Sequence, residues 1–153
     1  MLFDQAIELR SQGKLNKCII ILKTLADKYD EDGVINYELA HTLHQNKQYY
    51  NSVKYFERAL DDELTRETEL IAYQKFSLSL IYSKEYRRSS EILFKAIQKF
   101  PEELIFQILY GVVQQFSGNS DSAAKIFLEI ISKTEDPRLL EYKEILSNLS
   151  DRV

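Results

Sequence analysis

Side-chain size repeats along this chain at fixed intervals, and the repetition limits the folds that the chain can adopt. Two series of positions with spacings of 34, 37 and 34 residues hold small side chains, namely Ala6, Ala40, Ser77 and Gly111, and Cys18, Ser52, Ser89 and Ala123. Two further series with the same spacings are apolar, namely Leu22, Phe56, Leu93 and Phe127, and Leu25, Ala59, Ala96 and Ile130. Self-similarity at a period of this length indicates a stack of repeated structural units.

Two amphipathic helices are predicted in each repeat. Apolar residues step by three and four, as in Val53, Phe56 and Leu60, and this spacing is typical of a helix with one apolar face. The chain has only four glycines and two prolines in 153 residues, too few turn residues for a sheet of many short strands. The first helices are expected at about 2–12, 34–46, 68–83 and 103–117, and the second helices at about 15–29, 49–62, 86–99 and 120–134.

The repeats predict one all-α domain over residues 1–153, with helix-turn-helix units at about 1–32, 33–66, 67–102 and 103–136. Gly13 and Gly118 fall between paired helices, where a residue that tolerates positive φ can end a helix. Asp136 and Pro137 are typical of a helix start, and apolar and charged residues alternate after them. A C-terminal helix over 137–150 is therefore expected to cap the stack, because a terminal repeat otherwise leaves an apolar face in water.

Composition excludes several classes of partner. The net charge of −4 and the pI near 5.3 leave no cationic surface for nucleic acid, and the densest cluster, Lys84, Arg87 and Arg88, is typical of a solvated turn. No apolar run approaches the length of about 18 residues that a membrane span needs. Asp4 stands where a signal peptide requires basic residues, so a cytoplasmic protein is expected. Cys18 lies in an apolar run and is expected to be a buried, inert thiol.

No enzyme signature is present. The sequence has no glycine-rich phosphate loop, no Gly-x-Ser-x-Gly turn and no Cys/His nucleophile pair, so neither catalytic residues nor a cofactor are expected. Glu38, His41 and His44 recur at three-residue steps and offer three metal ligands from one helix. No second helix offers a complementary His or Cys, which favours polar surface over a metal site. Titration of the two histidines near neutral pH is expected to make partner binding pH-sensitive.

The repeat residues resemble the tetratricopeptide repeat (TPR) family, whose unit is 34 residues long. The matching positions cover nearly the whole chain: Ala6, Leu9, Gly13 and Leu22; Leu39, Ala40, Leu43, Tyr49, Ser52, Phe56 and Ala59; Tyr73, Tyr86, Ala96 and Pro101; Tyr110, Gly111, Gly118, Ala123 and Phe127. The chain departs from the family pattern by its lack of tryptophan, by Pro137 being displaced, and by three extra residues near 61–63. The arrangement also looks like that of small bacterial TPR proteins.

The resemblance implies a right-handed α-solenoid in which the first helices line a concave groove. Partner contacts are then expected at fixed offsets of the first helices: Tyr37, Glu38, His41, His44, Gln74, Lys75, Leu78, Tyr82, Ile108, Leu109, Val112 and Phe116. The fourth repeat has an alternative register, shifted by one residue, which buries Phe106, Leu109, Val113 and Phe116 instead. The position of Gly111 in the small-residue series favours the first register.

The sequence and the resemblance together predict a non-catalytic scaffold that binds a protein or peptide of unknown identity in this groove. The alternative is a self-associating or complex-assembly subunit, a homo-oligomer that uses apolar surfaces of the repeats and of the capping helix. Some family members clamp a partner's terminal carboxylate with Lys, Asn and Arg at the inner offsets. Lys75 matches that set, but Glu38 and Leu78 occupy other offsets, so this specialised mode is not expected.

Overall fold

The computed structural model describes residues 1–138 and residue 148, and this part of the chain consists of helices joined by short turns. Within these residues there are eight helices and no strand: α1 (Leu2–Ser11), α2 (Leu15–Lys28), α3 (Gly33–Gln45), α4 (Tyr49–Leu60), α5 (Arg66–Tyr82), α6 (Tyr86–Lys99), α7 (Leu104–Phe116) and α8 (Ser120–Ser132). The all-α class and the eight predicted repeat helices are confirmed. The capping helix predicted over 137–150 falls, apart from residues 137, 138 and 148, outside the described residues.

The helices group into two compact units. The N-terminal unit spans residues 1–85 and holds α1 to α5, and the C-terminal unit begins at Tyr86 and holds α6 to α8. In the N-terminal unit each helix packs on the next, and α3 also contacts α5 directly. In the C-terminal unit α6 packs on α7 and α7 on α8. The first helices α3 and α5 of successive repeats are therefore neighbours, which allows them to share one surface.

The small residues of the repeat are buried between helices. Ala6, Ala40 and Ser77 are 0% exposed. In the C-terminal unit a Cβ atom at Gly111 would come 2.7 Å from Cε1 of Phe127 on α8. Burial also raises the pKa of the Cys18 thiol, whose Sγ lies 3.7 Å from Oγ1 of Thr42. The burial predicted for Cys18 is confirmed.

Four turns between paired helices share one backbone conformation. The residues with positive φ are Gly13, Lys47, Lys84 and Gly118, at 73°, 59°, 61° and 83°, and their spacings are again 34, 37 and 34 residues. The Lys47 N–H donates to the His44 carbonyl at 3.0 Å, and the next N–H, of Gln48, donates to the Leu43 carbonyl at 2.9 Å. The other three turns repeat this pair of bonds, which defines a Schellman motif. Two of the four positions therefore carry lysine in a conformation that favours glycine.

Exchanging residue types at these turns should change stability in opposite directions. Gly118→Ala is expected to lower the free energy of unfolding by about 1 kcal/mol, because a side chain at positive φ is strained. No atom lies within 4 Å of the added Cβ, so the loss comes from the backbone alone. Lys84→Gly should raise the same free energy by about 0.5 kcal/mol. Urea denaturation of both variants checks the pair, and a loss in both would contradict the strain argument.

Side-chain carboxylates and one buried amide order the turn that precedes α3. Asp32 Oδ1 accepts the Ile35 N–H at 2.9 Å, and Asp62 Oδ2 accepts the Gly33 N–H at 2.9 Å. Both bonds satisfy donors that a helix N-terminus leaves free, and the Gly33 bond lowers the pKa of Asp62. Asn36, which is 0% exposed, donates through Nδ2 to the carbonyls of Asp30 and Asp32 at 2.7 and 2.8 Å. The turn is thereby tied to the first turn of the helix that follows it.

Candidate functional site

The predicted contact residues of the N-terminal unit lie on two helices that touch each other, α3 and α5. Most of them are half-buried, and Tyr82 is 57% exposed. We call them the α3–α5 surface: Glu38, His41, His44, Gln74, Lys75, Leu78 and Tyr82. Tyr37 is only 7% exposed and its ring lies 5.6 Å from that of His41. The structure therefore removes Tyr37 from the predicted contact set and makes it a support for His41.

An ion pair joins α1 to this surface. The Arg10 guanidinium binds the Glu38 carboxylate, and the two side chains are 18% and 17% exposed. Sequence analysis missed Arg10, because nothing within its own helix shows that a carboxylate 28 residues away lies opposite. A partly buried pair of this kind leaves an uncompensated charge if either partner is removed. The Glu38 carboxylate is therefore neutralised by Arg10 and offers little free charge to a ligand.

His44 is held by a chain of hydrogen bonds that determines its tautomer. Ser52 Oγ donates to the Tyr49 carbonyl at 2.7 Å, since a carbonyl only accepts. The Ser79 hydroxyl, 2.8 Å from Ser52 Oγ, must then donate to it. His44 Nδ1 lies 2.8 Å from Ser79 Oγ and is left as the donor of that bond. The imidazole therefore carries its proton on Nδ1, and Nε2 remains an acceptor.

Both imidazoles are neutral at physiological pH. Burial, and then the positive charges of Arg10 and Lys75, lower the pKa of His41 to about 4. Burial, then Lys75 and His41, lower the pKa of His44 to about 4 as well. The expectation that these histidines titrate near neutral pH is therefore corrected, because the surrounding helices and cations disfavour the charged form. Among the residues described, Lys75 has no salt-bridge partner within 4 Å, and it is the free cation of this surface.

The lowered pKa values of His41 and His44 make the free energy of unfolding depend on pH. The pKa of each histidine is about 6.5 in the unfolded chain and about 4 in the folded one, so the unfolded chain binds more protons between these values. The free energy of unfolding should therefore fall as pH drops from about 6.5 to about 4, and this contribution should level off below that range.

His41→Gln isolates one of these two contributions. We expect the difference in unfolding free energy between pH 7 and pH 5 to be about 1 kcal/mol smaller in this variant than in the wild type. The limit for one group is about 1.4 kcal/mol for each pH unit, and the partial exposure of the ring keeps the contribution of His41 below that limit. Urea denaturation at the two pH values measures it. The carboxylates titrate in both proteins and cancel in the comparison. An unchanged pH dependence would show that His41 binds protons equally in both states.

The fourth-repeat residues divide between core and surface. Phe106 and Val113 are 0% exposed and Leu109 is 8% exposed, so Leu109 belongs to the core and not to the predicted contact set. Ile108 and Phe116 are 38% and 57% exposed, and Val112 is half-buried. We call Ile108, Val112 and Phe116 the α7 surface.

Neither of the two registers considered for α7 describes this helix completely. Gly111 faces Phe127 on α8, as the first register requires, while Phe106 lies 5.9 Å from the Phe100 ring that follows α6. The helix therefore buries side chains in two directions. The sequence analysis assumed a single buried stripe.

An aromatic pair recurs at equivalent places in the two units. Tyr49 stacks on Tyr82 with ring centroids 4.4 Å apart in the N-terminal unit, and Tyr86 stacks on Phe116 at 5.6 Å in the C-terminal unit. Each pair joins the start of one helix to the end of the next helix in the chain. The stacked partners hold Tyr82 and Phe116 in place while leaving more than half of each side chain exposed.

An apolar cleft at the start of the chain was not predicted from the sequence. It has a volume of about 650 Å³ and lies between α1, the end of α2 and the start of α3. Met1, Leu2, Tyr29 and Val34 line it and are 98%, 54%, 47% and 48% exposed. Large apolar side chains with this exposure are typical of contact surfaces.

Clusters of metal ligands and helices that could span a membrane are both missing from the part of the chain that the structure covers. Over residues 1–138 and 148, no group of three or more His, Cys, Asp or Glu side chains is placed to hold a metal ion. Glu38 is engaged by Arg10 and His44 by Ser79. None of the helices described has the length and apolar character needed to cross a membrane.

The paired helices, the repeated small residues and the four equivalent turns define a helical-repeat protein with a TPR-like fold. Solved structures of MamA share this fold. "MamA 41-end from Desulfovibrio magneticus RS-1" superimposes with a TM-score of 0.72 at 17% identity, over 85% of this chain and 72% of that one. The "MamA RS-1 ArsTM double mutant" gives a TM-score of 0.73 at 18% identity, over 88% and 76%. No family model and no curated relative matches the chain.

Proposed function

We propose that this chain is a non-catalytic scaffold that binds a protein or peptide, with the α3–α5 surface as its principal contact and the α7 surface as a further one. The single observation that carries the proposal is the partial burial of the side chains on the α3–α5 surface. Two helices of successive repeats present half-buried side chains there without covering them. Such a surface offers both area and ordered polar groups, which peptide-binding sites combine.

The chemistry of the α3–α5 surface suits a peptide with one apolar and one acidic contact. Leu78 and Tyr82 supply apolar area, with Tyr82 held against Tyr49. Lys75 supplies a cation beside two neutral imidazoles. His44 Nε2 is left as an acceptor by the Nδ1–Ser79 bond, so a ligand amide can donate to it. A cytoplasmic location, and the absence of nucleic-acid and membrane partners, remain predictions from the sequence.

Selection from a random peptide library displayed on phage tests the proposal. We expect peptides selected on the wild-type protein to be lost on Leu78→Glu, because a carboxylate on the α3–α5 surface removes the apolar contact and opposes an acidic ligand. Ile20→Glu is the matched control, since Ile20 is 66% exposed on α2 and receives the same change of charge and size. Circular dichroism establishes that both variants are folded.

The outcomes separate the possibilities. Loss of binding on Leu78→Glu but not on Ile20→Glu supports the α3–α5 surface, and loss of selected peptides on Val112→Glu supports the α7 surface as a separate contact. Equal binding by Leu78→Glu and wild type would place peptide recognition elsewhere. Failure of the wild type to select any peptide would contradict peptide binding itself.

A second candidate function, self-association, is favoured by the apolar cleft between α1, α2 and α3. Val34 lies in its wall and is 48% exposed, so Val34→Glu should convert a dimer or larger assembly to a monomer if copies meet at this cleft. Sedimentation velocity over a range of protein concentrations measures the change. A wild-type protein that stays monomeric at every concentration would contradict the self-association proposal.

A further inference from the structure

A second surface of the N-terminal unit lies at the turn between α3 and α4. It is a shallow cleft of about 360 Å³. Three tyrosines line it: Tyr50 is 76% exposed, and Tyr82 is stacked on Tyr49. Lys47, Gln48, Asn51 and Ser83 complete the lining. We call it the turn-edge cleft, and it is separate from the α3–α5 surface except for Tyr82.

The charge of this cleft is unlike that of the chain as a whole. Lys47 is the one formally charged residue in its lining, and Lys84 directly follows the lining residue Ser83. Both lysines are exposed, and neither has a salt-bridge partner within 4 Å among the residues that the structure covers. The chain carries a net charge of −4, so an uncompensated cationic edge with no carboxylate in its lining complements an acidic ligand.

The positions of the two lysines add to this argument. Lys47 and Lys84 occupy the positive-φ positions of their turns, where the two other equivalent turns have Gly13 and Gly118. Glycine is the residue that this conformation favours, and residues held in strained conformations are concentrated at functional sites. Each lysine is followed two residues later by the tyrosine of a stacked pair, Tyr49 or Tyr86. A lysine at the positive-φ position and a tyrosine two residues later therefore occur together in two turns, and the other two turns have neither at these positions.

We propose that the turn-edge cleft is a docking site for an acidic, extended protein segment, whose carboxylates bind Lys47 and Lys84 and whose proline or aromatic side chain packs on the exposed tyrosine rings. Aromatic-lined shallow clefts recognise proline-containing extended segments in this way. The side-chain amides of Gln48 and Asn51 supply hydrogen-bonding groups for the backbone of the segment. A single nucleic-acid strand also pairs cations with stacking rings, but binding its continuous phosphate backbone requires a longer cationic groove than two lysines provide.

Fluorescence anisotropy with a labelled synthetic peptide tests this docking site. The peptide alternates glutamate and proline around one central tyrosine, and its partner peptide has lysine in place of every glutamate. We expect the acidic peptide to bind more tightly, with an affinity that falls as salt screens the charges. Lys47→Gly/Lys84→Gly should weaken binding about tenfold, and Tyr50→Ala should weaken it to a similar extent.

Loss of binding by the glycine variant cannot be explained by loss of stability. Glycine relieves the positive-φ strain at both turns, so the melting temperature should not fall while binding does. Lys17→Ala/Lys23→Ala removes two exposed cations from α2 and is the matched control, which should bind as the wild type does.

Four results with the two peptides, the glycine variant and oligothymidine would overturn the proposal. They are no binding of the acidic peptide, equal binding of the two peptides, unchanged binding by the glycine variant, and tighter binding of single-stranded oligothymidine through the same residues. Loss of the acidic peptide on Leu78→Glu would also overturn it, because the binding would then belong to the α3–α5 surface.

Discussion

Phe106→Ala should lower the free energy of unfolding by about 3–5 kcal/mol, the largest single loss that we expect in this chain. Phe106 is 0% exposed and its ring lies 5.9 Å from that of Phe100. Truncation removes the buried apolar area and leaves a cavity that its neighbours fill only in part. Urea denaturation followed by circular dichroism measures the loss.

Phe116→Ala is the matched variant on the same helix. Phe116 is 57% exposed and stacks on Tyr86 at 5.6 Å, so its truncation should cost only about 1 kcal/mol, the order of one aromatic pair. The two variants therefore distinguish the observed helix from the shifted register, which buries both rings. Losses of equal size would mean that Phe116 is also a core residue, and the α7 surface would then lose its largest member.

Asn36→Ala should lower the free energy of unfolding by about 2–3 kcal/mol, which is large for a small polar side chain. The Asn36 amide is buried and donates to the carbonyls of Asp30 and Asp32 at 2.7 and 2.8 Å. Its removal leaves the Asp30 carbonyl without this donor and loosens the turn before α3. Thermal unfolding followed by circular dichroism gives the change.

Two companion variants test the reason for that loss. Asn46→Ala removes an amide that bonds Asn16 at 2.9 Å on the exposed surface, and it should cost about 0.5 kcal/mol or less. Asn36→Asp keeps the size of the side chain but cannot donate when ionised, so it should cost at least as much as Asn36→Ala. A stable Asn36→Asp protein would show that the two carbonyl contacts contribute little.

The candidate site was predictable in outline because its residues follow the repeat. The offsets that selected His41, Lys75 and Leu78 also place them on neighbouring helices, and all three are half-buried there. Tyr37 and Leu109 followed the same offsets but lie in the core at 7% and 8% exposed. A periodic pattern identifies which side of a helix a residue is on. It does not show how far the neighbouring helix extends over that side.

The interactions that determine the chemistry of the site could not be predicted. Arg10 and Glu38 are 28 residues apart, and His44 and Ser79 are 35 apart. Burial lowers the pKa of His41, and the charges of Arg10 from α1 and Lys75 from α5 lower it further. Charges and hydrogen bonds act over a few ångströms through space. Their partners are therefore known only once the helices are packed.

The sequence by itself determined the class of fold, the eight helices and the two turns marked by Gly13 and Gly118, because helix periodicity and turn preference act between residues close in the chain. It also determined which small residues lie in helix contacts, such as Ala40, because close packing repeats with the same period as the chain. Only the tertiary structure decided that α7 buries two sides and that both imidazoles are neutral. Both depend on which side chains of other helices surround a residue, and the residues next to it in the chain do not determine that.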